Sequence, residues 1–190
     1  LAETAHGRQV DLAASYLLLW PQRQVVRFPW LPGADVIGES AVRHGRSLQA
    51  ALDETAALLD RARTAGIPVI HIQHDSGPGS PYDIRADIGA IVDQVAPRGD
   101  EPVIVKQFPN SFVQTDLDER LKALGTSNLV LAGFMTHMCV NSTARGAFSL
   151  GYAPTVVAAA TATRTLAGPD GQAVPAAALQ AASLAGLADL

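Results

Sequence analysis

The sequence predicts a three-layer α/β/α sandwich around a mostly parallel sheet of five or six strands. Two observations predict this fold. Amphipathic helical stretches alternate with short runs of apolar and β-branched residues, and the turns between them are short. Successive strand-helix units of this kind wind into one sheet that helices cover on both faces.

The clearest unit is a helix that leads into a strand. From Leu48 to Ala65 the apolar residues recur at steps of three and four, and Gly66 ends the helix. The runs predicted as strands are Ile67–Ile72, Val103–Val105, Asn128–Ala132 and Thr155–Ala158. The later helices are predicted at Asp116–Leu121 with Thr115 as N-cap, at Met138–Leu150 with Gly151 as its stop, and at Pro175–Leu190.

Length and composition indicate one globular domain over residues 1–190. The net charge of −4 and the scattered arginines leave no basic face, so nucleic acid is not an expected partner. The apolar run Tyr16–Trp20 is too short to span a membrane, and neither a signal peptide nor an anchor is expected. Cys139 is the single cysteine, which excludes an internal disulfide and favours a cytoplasmic location.

Two reactive side chains follow predicted strands, where parallel sheets bind their ligands. Cys139 lies near the first turn of a predicted helix, whose dipole favours a thiolate, and Lys106 comes directly after Val103–Val105. We expect the strands that precede them to be neighbours, which brings the ammonium group close to the thiol. The alternative is that Cys139 is a small core residue and Lys106 a solvated strand cap.

Two loops are expected near this edge of the sheet. Gln107–Phe112 carries two aromatic residues that either cover a small planar substrate or pack back on the core, and the sequence leaves both open. His74–Tyr82 is rich in glycine and proline and follows the second strand. The residues predicted to line a substrate pocket are Tyr82, Phe108, Asn110, Phe112 and His137.

Longer motifs surround these residues, from about Leu48 to the end of the chain. They are Lys106, Asn110–Phe112, Thr115–Leu117, Leu131–Val140, Ser142–Arg145, Leu150–Tyr152 and Ala160–Arg164. Together they resemble the isochorismatase-like cysteine hydrolases, and the run around Cys139 is the most specific part of the resemblance.

The resemblance implies a Rossmann-like fold and an Asp-Lys-Cys triad that hydrolyses small amides and related C–N bonds. Cys139 matches the nucleophile and Lys106 the lysine. The resemblance also implies a cis peptide bond between Phe134 and Met135, and an oxyanion hole formed by the backbone N–H groups of Met135 and Cys139. Because family members commonly associate, a homo-oligomer is expected.

No metal or other cofactor is expected. Nicotinamidases in the same family bind a metal through an aspartate and several histidines, and this chain offers His71, His74 and Asp75. His71 and His74 stand three positions apart in a strand and its exit, so their side chains point to opposite faces.

The family's catalytic aspartate, which ends the first strand, has no clear counterpart. The run Leu17–Gln22 places Trp20 in that position, or Leu18 if the spacing to Pro32 and Gly33 is used. Asp11 and Asp75 are the acids considered as substitutes. We therefore expect no carboxylate from the first strand beside Cys139, and either weak hydrolysis or an acid recruited from elsewhere.

The leading hypothesis is a cysteine-dependent hydrolase of a small-molecule amide, acting through a thioester-type acyl-enzyme at Cys139. The alternative is a non-catalytic ligand-binding or assembly member of the same fold that has lost the aspartate. A third interpretation makes Cys139 a redox-sensing thiol.

Overall fold

The computed structural model describes residues 48–190 and the backbone of three strands nearer the N-terminus. Two of these are short and pair antiparallel, β1 (Ala2–Glu3) and β2 (Gln9–Val10). The third, β3 (Ser15–Trp20), joins the main sheet.

The main sheet has five strands, and every pair in it is parallel. Its other members are β4 (Val69–His74), β5 (Val103–Lys106), β6 (Asn128–Phe134) and β7 (Ala153–Ala162). The strand order is β5-β4-β3-β6-β7. The predicted α/β/α fold with a five- or six-stranded parallel sheet is therefore confirmed.

The expectation that Val103–Val105 and Asn128–Ala132 form neighbouring strands is wrong. Strands β4 and β3 lie between β5 and β6. The chain first winds outward from β3 through β4 to β5, and then returns to the other side of β3 to form β6. Nothing in the local residue pattern marks this reversal, because both halves of a doubly wound sheet use the same strand-helix unit.

Helices flank the sheet at α1 (Leu48–Thr64), α2 (Leu117–Ala123), α3 (Asn141–Ser149) and α4 (Ala176–Ala188). A turn of π-helix, Thr136–Val140, precedes α3, and a small antiparallel pair, β8 (Leu166–Ala167) and β9 (Ala173–Val174), precedes α4. Gly66 follows α1 with φ of 68° and Gly151 follows α3 with φ of 88°. A residue without Cβ adopts this left-handed conformation easily, so the predicted helix stops are confirmed.

Side chains of alternate strand residues fill two separate cores, one on each face of the sheet. The first contains Val69, Val130, Ala132 and Phe134 with the buried side of α1. The second contains Ile70, Ile72, Ile104, Leu129 and Leu131 with residues of α2 and α3. Between residues 48 and 190 no helix is long and apolar enough to cross a membrane.

Several element ends differ from the predictions by a few residues. The helix predicted to begin at Met138 begins instead with the π-helical turn, and its α-helical part starts at Asn141. The N-cap of α2 is Asp116 rather than Thr115, although the Thr115 hydroxyl does accept the Leu117 N–H at 3.3 Å. Strand pairing with β6 extends β7 well beyond the four residues whose β-branched pattern predicted it.

A partly buried ionic cluster ties the end of α1 to β4 and to the segment before β5. Arg63 donates from Nε and Nη2 to the two carboxylate oxygens of Glu101, each at 2.7 Å. The fully buried His71 places Nε2 at 2.9 Å from the same carboxylate, and the Arg98 backbone N–H donates to it. Burial alone would raise the pKa of Glu101, but these hydrogen bonds, led by those of Arg63, lower it to about 2.

Replacing Glu101 with glutamine is therefore expected to destabilise the protein in a pH-dependent way. Because the pKa of Glu101 lies below its ordinary value of 4.5, the carboxylate stabilises the fold above that pH and loses this effect as pH falls toward about 2. The free energy of unfolding should fall by roughly 2 to 4 kcal/mol at pH 7, with a smaller difference below pH 4.5.

Urea unfolding of both proteins at a series of pH values measures this difference. Lys122→Gln, which breaks an exposed ion pair with Asp118, is the control and should change stability by less than about 0.5 kcal/mol. An equal loss for Glu101→Gln at pH 3 and pH 7 would contradict the assignment.

Candidate active site

Lys106 and Cys139 meet inside the protein. Nζ of Lys106 donates a hydrogen bond to Sγ of Cys139 at 3.3 Å. Lys106 is 1% exposed and Cys139 9% exposed. The predicted approach of the ammonium group to the sulfur is confirmed, and the solvated-cap alternative for Lys106 is excluded.

The two side chains meet because both belong to the same face of the sheet. Along β5 buried and exposed residues alternate, so Lys106 points to the same side as Ile104, two residues earlier. Cys139 lies on that side too, in the core cluster that contains Ile104.

Cys139 sits in a widened helical turn directly after β6. The N–H of Val140 donates to the Met135 carbonyl at 3.3 Å, five residues back, and the Met138 N–H donates to the same oxygen at 3.1 Å. Turns of this π type occur often at functional sites. The peptide bond between Phe134 and Met135 is cis, as the resemblance implied.

Lys106 has two further hydrogen-bond partners that the sequence did not predict. Its Nζ donates to the Phe108 carbonyl oxygen at 2.8 Å and lies 3.1 Å from Nδ1 of His74. Burial lowers the pKa of Lys106, and the nearby Cys139 sulfur opposes that effect. The contact with the Phe108 carbonyl could not be predicted, because a backbone group leaves no signal in the sequence. The contact with His74 could have been predicted, because His74 and Lys106 are both polar residues that end apolar strands.

The loop after β5 is held against α3 by buried hydroxyl groups. The Ser111 N–H donates to Oγ1 of Thr143 at 3.0 Å, and the Thr143 hydroxyl donates to Oγ of Ser111 at 3.0 Å. Oδ1 of Asn110 accepts the Phe112 N–H, and the Asn110 side chain packs where a Cβ on Gly146 would otherwise lie. These contacts hold the loop in which the Phe108 carbonyl lies, so Asn110 has a structural role in this loop.

The two aromatic residues of the same loop have different environments. The ring of Phe112 stacks on Tyr152 with centroids 5.7 Å apart and packs against the core. Of the two alternatives for the loop aromatics, Phe112 therefore follows the one in which they pack back on the core. Phe108 is 41% exposed. A role of Asn110, Phe112 and Phe108 in a substrate pocket stays a prediction. Of the two aromatic residues, Phe108 is exposed enough to contact a substrate.

Tyr82 reaches the site through His74. The two rings meet edge to face with centroids 4.8 Å apart. The loop that carries Tyr82 is braced by Arg85, which donates to both carboxylate oxygens of Asp75 and pairs with Asp83. Asp83 in turn accepts the Gly79 N–H at 2.8 Å.

Gly89 packs against the backbone of this loop so closely that a Cβ would lie 2.2 Å from the Asp83 carbonyl oxygen. Gly89→Ala must therefore displace the loop, and we expect the free energy of unfolding to fall by about 1 to 3 kcal/mol. Gly186→Ala in α4 is the matched control. Its Cβ would meet nothing closer than 3.4 Å, so thermal unfolding should show unchanged or slightly raised stability. Similar loss in both variants would contradict the packing argument.

His137, two residues before Cys139, is hydrogen-bonded through Nδ1 to the Thr163 hydroxyl. Burial lowers the pKa of His137, and the Arg164 guanidinium adds to that effect. The ring is therefore neutral at pH 7. Its predicted contact with substrate is untested.

The side chains considered for a metal point to different partners. His71 contacts Glu101, His74 contacts Lys106, and Asp75 contacts Arg85. Within the described part of the chain, no three His, Cys, Asp or Glu side chains cluster as metal ligands would.

The strand expected to carry the catalytic aspartate occupies the centre of the sheet. β3 pairs Trp20 with Gly133 and Leu18 with Leu131, and its sequence Ser15–Trp20 contains no acid. The carboxylate of Asp75 has other partners: its oxygens accept hydrogen bonds from the Gly77 N–H and from Arg85, which lower its pKa. Asp11 lies outside the described residues.

The parallel sheet and the buried Lys106–Cys139 pair at its carboxyl edge define an α/β protein with a candidate active site. The family model of the isochorismatase domain matches residues 22–188. The chain therefore belongs to the isochorismatase family.

Among curated relatives, the secreted isochorismatase effector Isc1 of Verticillium dahliae is 32% identical over 145 residues, 76% of this chain and 74% of Isc1. The ureidoacrylate amidohydrolase RutB of Azorhizobium caulinodans is 32% identical over 133 residues, 55% of this chain and 59% of that protein. The match thus spans less than two thirds of the amidohydrolase. A crystal structure of an isochorismatase from Pseudomonas putida is 33% identical with a TM-score of 0.83, covering 96% of this chain and 87% of that one.

Proposed function

We propose that this protein is a cysteine hydrolase that cleaves an amide or related C–N bond of a small molecule through a thioester at Cys139. The observation that carries the proposal is the buried contact of 3.3 Å between Lys106 Nζ and Cys139 Sγ. A cation beside a sulfur at the start of a helical segment favours the thiolate, which is the nucleophilic form. The amidohydrolase among its relatives supports the same class of reaction.

In the proposed reaction the thiol proton resides on Lys106, and the thiolate attacks the carbonyl carbon. The new S–C bond forms as the carbonyl oxygen takes up charge, and the C–N bond then breaks. The leaving nitrogen takes a proton from the Lys106 ammonium group, which lies beside the sulfur. Water then attacks the thioester, releases a carboxylic acid and returns a proton to Sγ.

The negative oxygen formed in this step needs hydrogen-bond donors. We assign that role to the backbone N–H groups of Met135 and Cys139. Met135 directs its carbonyl into the π-helical turn, where it accepts two N–H groups, and Cys139 belongs to the same turn. Tyr82, Phe108, Asn110, Phe112 and His137 are proposed to surround the substrate.

A non-catalytic, ligand-binding member of the family is the second candidate. The observation that favours it is the absence of any acid from β3, Ser15–Trp20. General acid-base catalysis is typically worth about 10²- to 10⁴-fold, so its loss reduces turnover greatly without affecting a binding pocket.

The experiment is a screen of small primary amides, ureido acids and acylureas, with carboxylic acid release followed by mass spectrometry. If the protein is a hydrolase, the wild type should turn over at least one compound and Cys139→Ser none. Saturable binding of a compound that both proteins leave intact would support the non-catalytic alternative and overturn the hydrolase.

We also propose that the protein is cytoplasmic and forms homo-oligomers. The single thiol supports the reducing compartment. Helix α4 supports association, because its thirteen residues include no charged side chain and none of them is buried. Light scattering coupled to size exclusion tests the oligomer, and a monomer at micromolar concentration would contradict it.

A further inference from the structure

His74 is held beside Lys106 by the register of the sheet. The two residues are direct partners on the parallel strands β4 and β5. Ile72 and Ile104, two residues before each of them, lie in the same core, so His74 and Lys106 share one face. Their ring and ammonium nitrogens, Nδ1 and Nζ, are 3.1 Å apart.

The surroundings of Nζ indicate a charged lysine with a neutral histidine. Among the described residues three acceptors lie around it: Sγ of Cys139 at 3.3 Å, the Phe108 carbonyl oxygen at 2.8 Å and Nδ1 of His74 at 3.1 Å. An ammonium group has three N–H donors, whereas a neutral amine has only two and a lone pair that would face one of these acceptors. The arrangement therefore matches the ammonium form.

The environment of His74 keeps its ring neutral and oriented. Burial lowers its pKa to about 4, the Lys106 charge adds to this effect, and the nearby Asp75 opposes it. With Nδ1 accepting from Lys106, the ring proton is on Nε2, which lies 2.9 Å from the Ser76 hydroxyl. The Tyr82 ring packs edge to face against the imidazole.

We propose that His74 is a positioning residue whose Nδ1 directs the Lys106 ammonium at Cys139 Sγ, at a site where β3 offers no carboxylate. This role rests on the proposed cysteine hydrolase, since it serves to activate the sulfur. A neutral acceptor holds the ammonium without competing with the thiolate for its charge. His74 acts through Lys106 and does not touch the reacting atoms.

Two substitutions separate an acceptor at Nδ1 from a general loss of the ring. In His74→Asn the amide oxygen can take the position of Nδ1, and in His74→Gln the amide lies one carbon further, near the position of Nε2. Cys139 is the only cysteine of the chain, so the rate of iodoacetamide alkylation reports on it alone. Alkylation is measured at pH 6 in the wild type, in both variants, in Lys106→Met and in the double variant His74→Gln/Lys106→Met.

His74→Gln should lower the rate of alkylation at pH 6 by roughly tenfold. His74→Asn should stay within about twofold of the wild-type rate. In the Lys106→Met background His74→Gln should change the rate no further, because the effect runs through the ammonium group.

A wild-type alkylation rate in His74→Gln, or the same loss of rate with and without Lys106, would overturn the role of His74. If Lys106→Met itself leaves the rate unchanged, Lys106 does not activate the thiol, and the proposed function fails with it. Circular dichroism of each variant shows whether it folds. If His74→Gln does not fold, Ser76→Ala, which removes the partner of Nε2, should give a smaller loss of rate, and an unchanged rate would overturn the proposal.

Discussion

Cys139→Ser is expected to reduce hydrolysis of a small amide by at least about 1000-fold. The hydroxyl group is a far weaker nucleophile than the thiolate, and Lys106 Nζ would face an oxygen that does not ionise at neutral pH. Acid release under saturating substrate, followed by mass spectrometry, gives the rate directly.

The control for this substitution is Ser149→Ala, an exposed change near the end of α3. It should leave the rate within about twofold of the wild type, since surface changes away from the site rarely exceed 0.5 kcal/mol. Retention of more than about a tenth of the activity by Cys139→Ser would exclude Cys139 as the nucleophile.

Lys106→Met is expected to lower the same rate by about 10²- to 10³-fold while the free energy of unfolding changes by no more than about 2 kcal/mol. The loss of a donor to His74 Nδ1 and to the Phe108 carbonyl destabilises the protein, and gains in desolvation and packing offset that loss. The substitution removes the charge at Sγ and any proton return to the leaving nitrogen. It also removes the cost of burying an ammonium group, which already lowers the pKa of Lys106, and it fills most of the same volume.

This combination of lost activity and retained stability distinguishes a catalytic lysine from a structural one. Lys122→Met replaces an exposed lysine of α2 that pairs with Asp118 at the surface and should change neither quantity appreciably. A Lys106→Met protein that is both destabilised by several kcal/mol and fully active would show that Lys106 serves the fold alone.

The layers of the fold could be predicted because they follow from local patterns. Apolar residues at helical spacing in α1 and the β-branched run of β4 specify the elements, and Gly66 marks the boundary between them. The order of strands is a property of the whole sheet. Since the point where winding reverses leaves no local signal, the separation of β5 from β6 could not be predicted.

The site was predictable only in part, for a similar reason. Lys106 and Cys139 are recognisable from the strands they follow and from the motif around the cysteine. Their contacts to the Phe108 carbonyl and to His74 depend on backbone geometry and on strand register. Phe108 and Phe112 are indistinguishable in sequence, and only packing against Tyr152 separates them.

The central claim, that the fold activates Cys139 as a nucleophile through Lys106, is tested most directly by the rate of iodoacetamide labelling at pH 7 in the wild type and in Lys106→Met. No substrate is needed, and the single cysteine makes the signal unambiguous. We predict that the wild type is labelled at least about tenfold faster than Lys106→Met, because Nζ of Lys106 lies beside Sγ. Equal rates of labelling in the two proteins would identify Cys139 as a structural core residue and contradict the account.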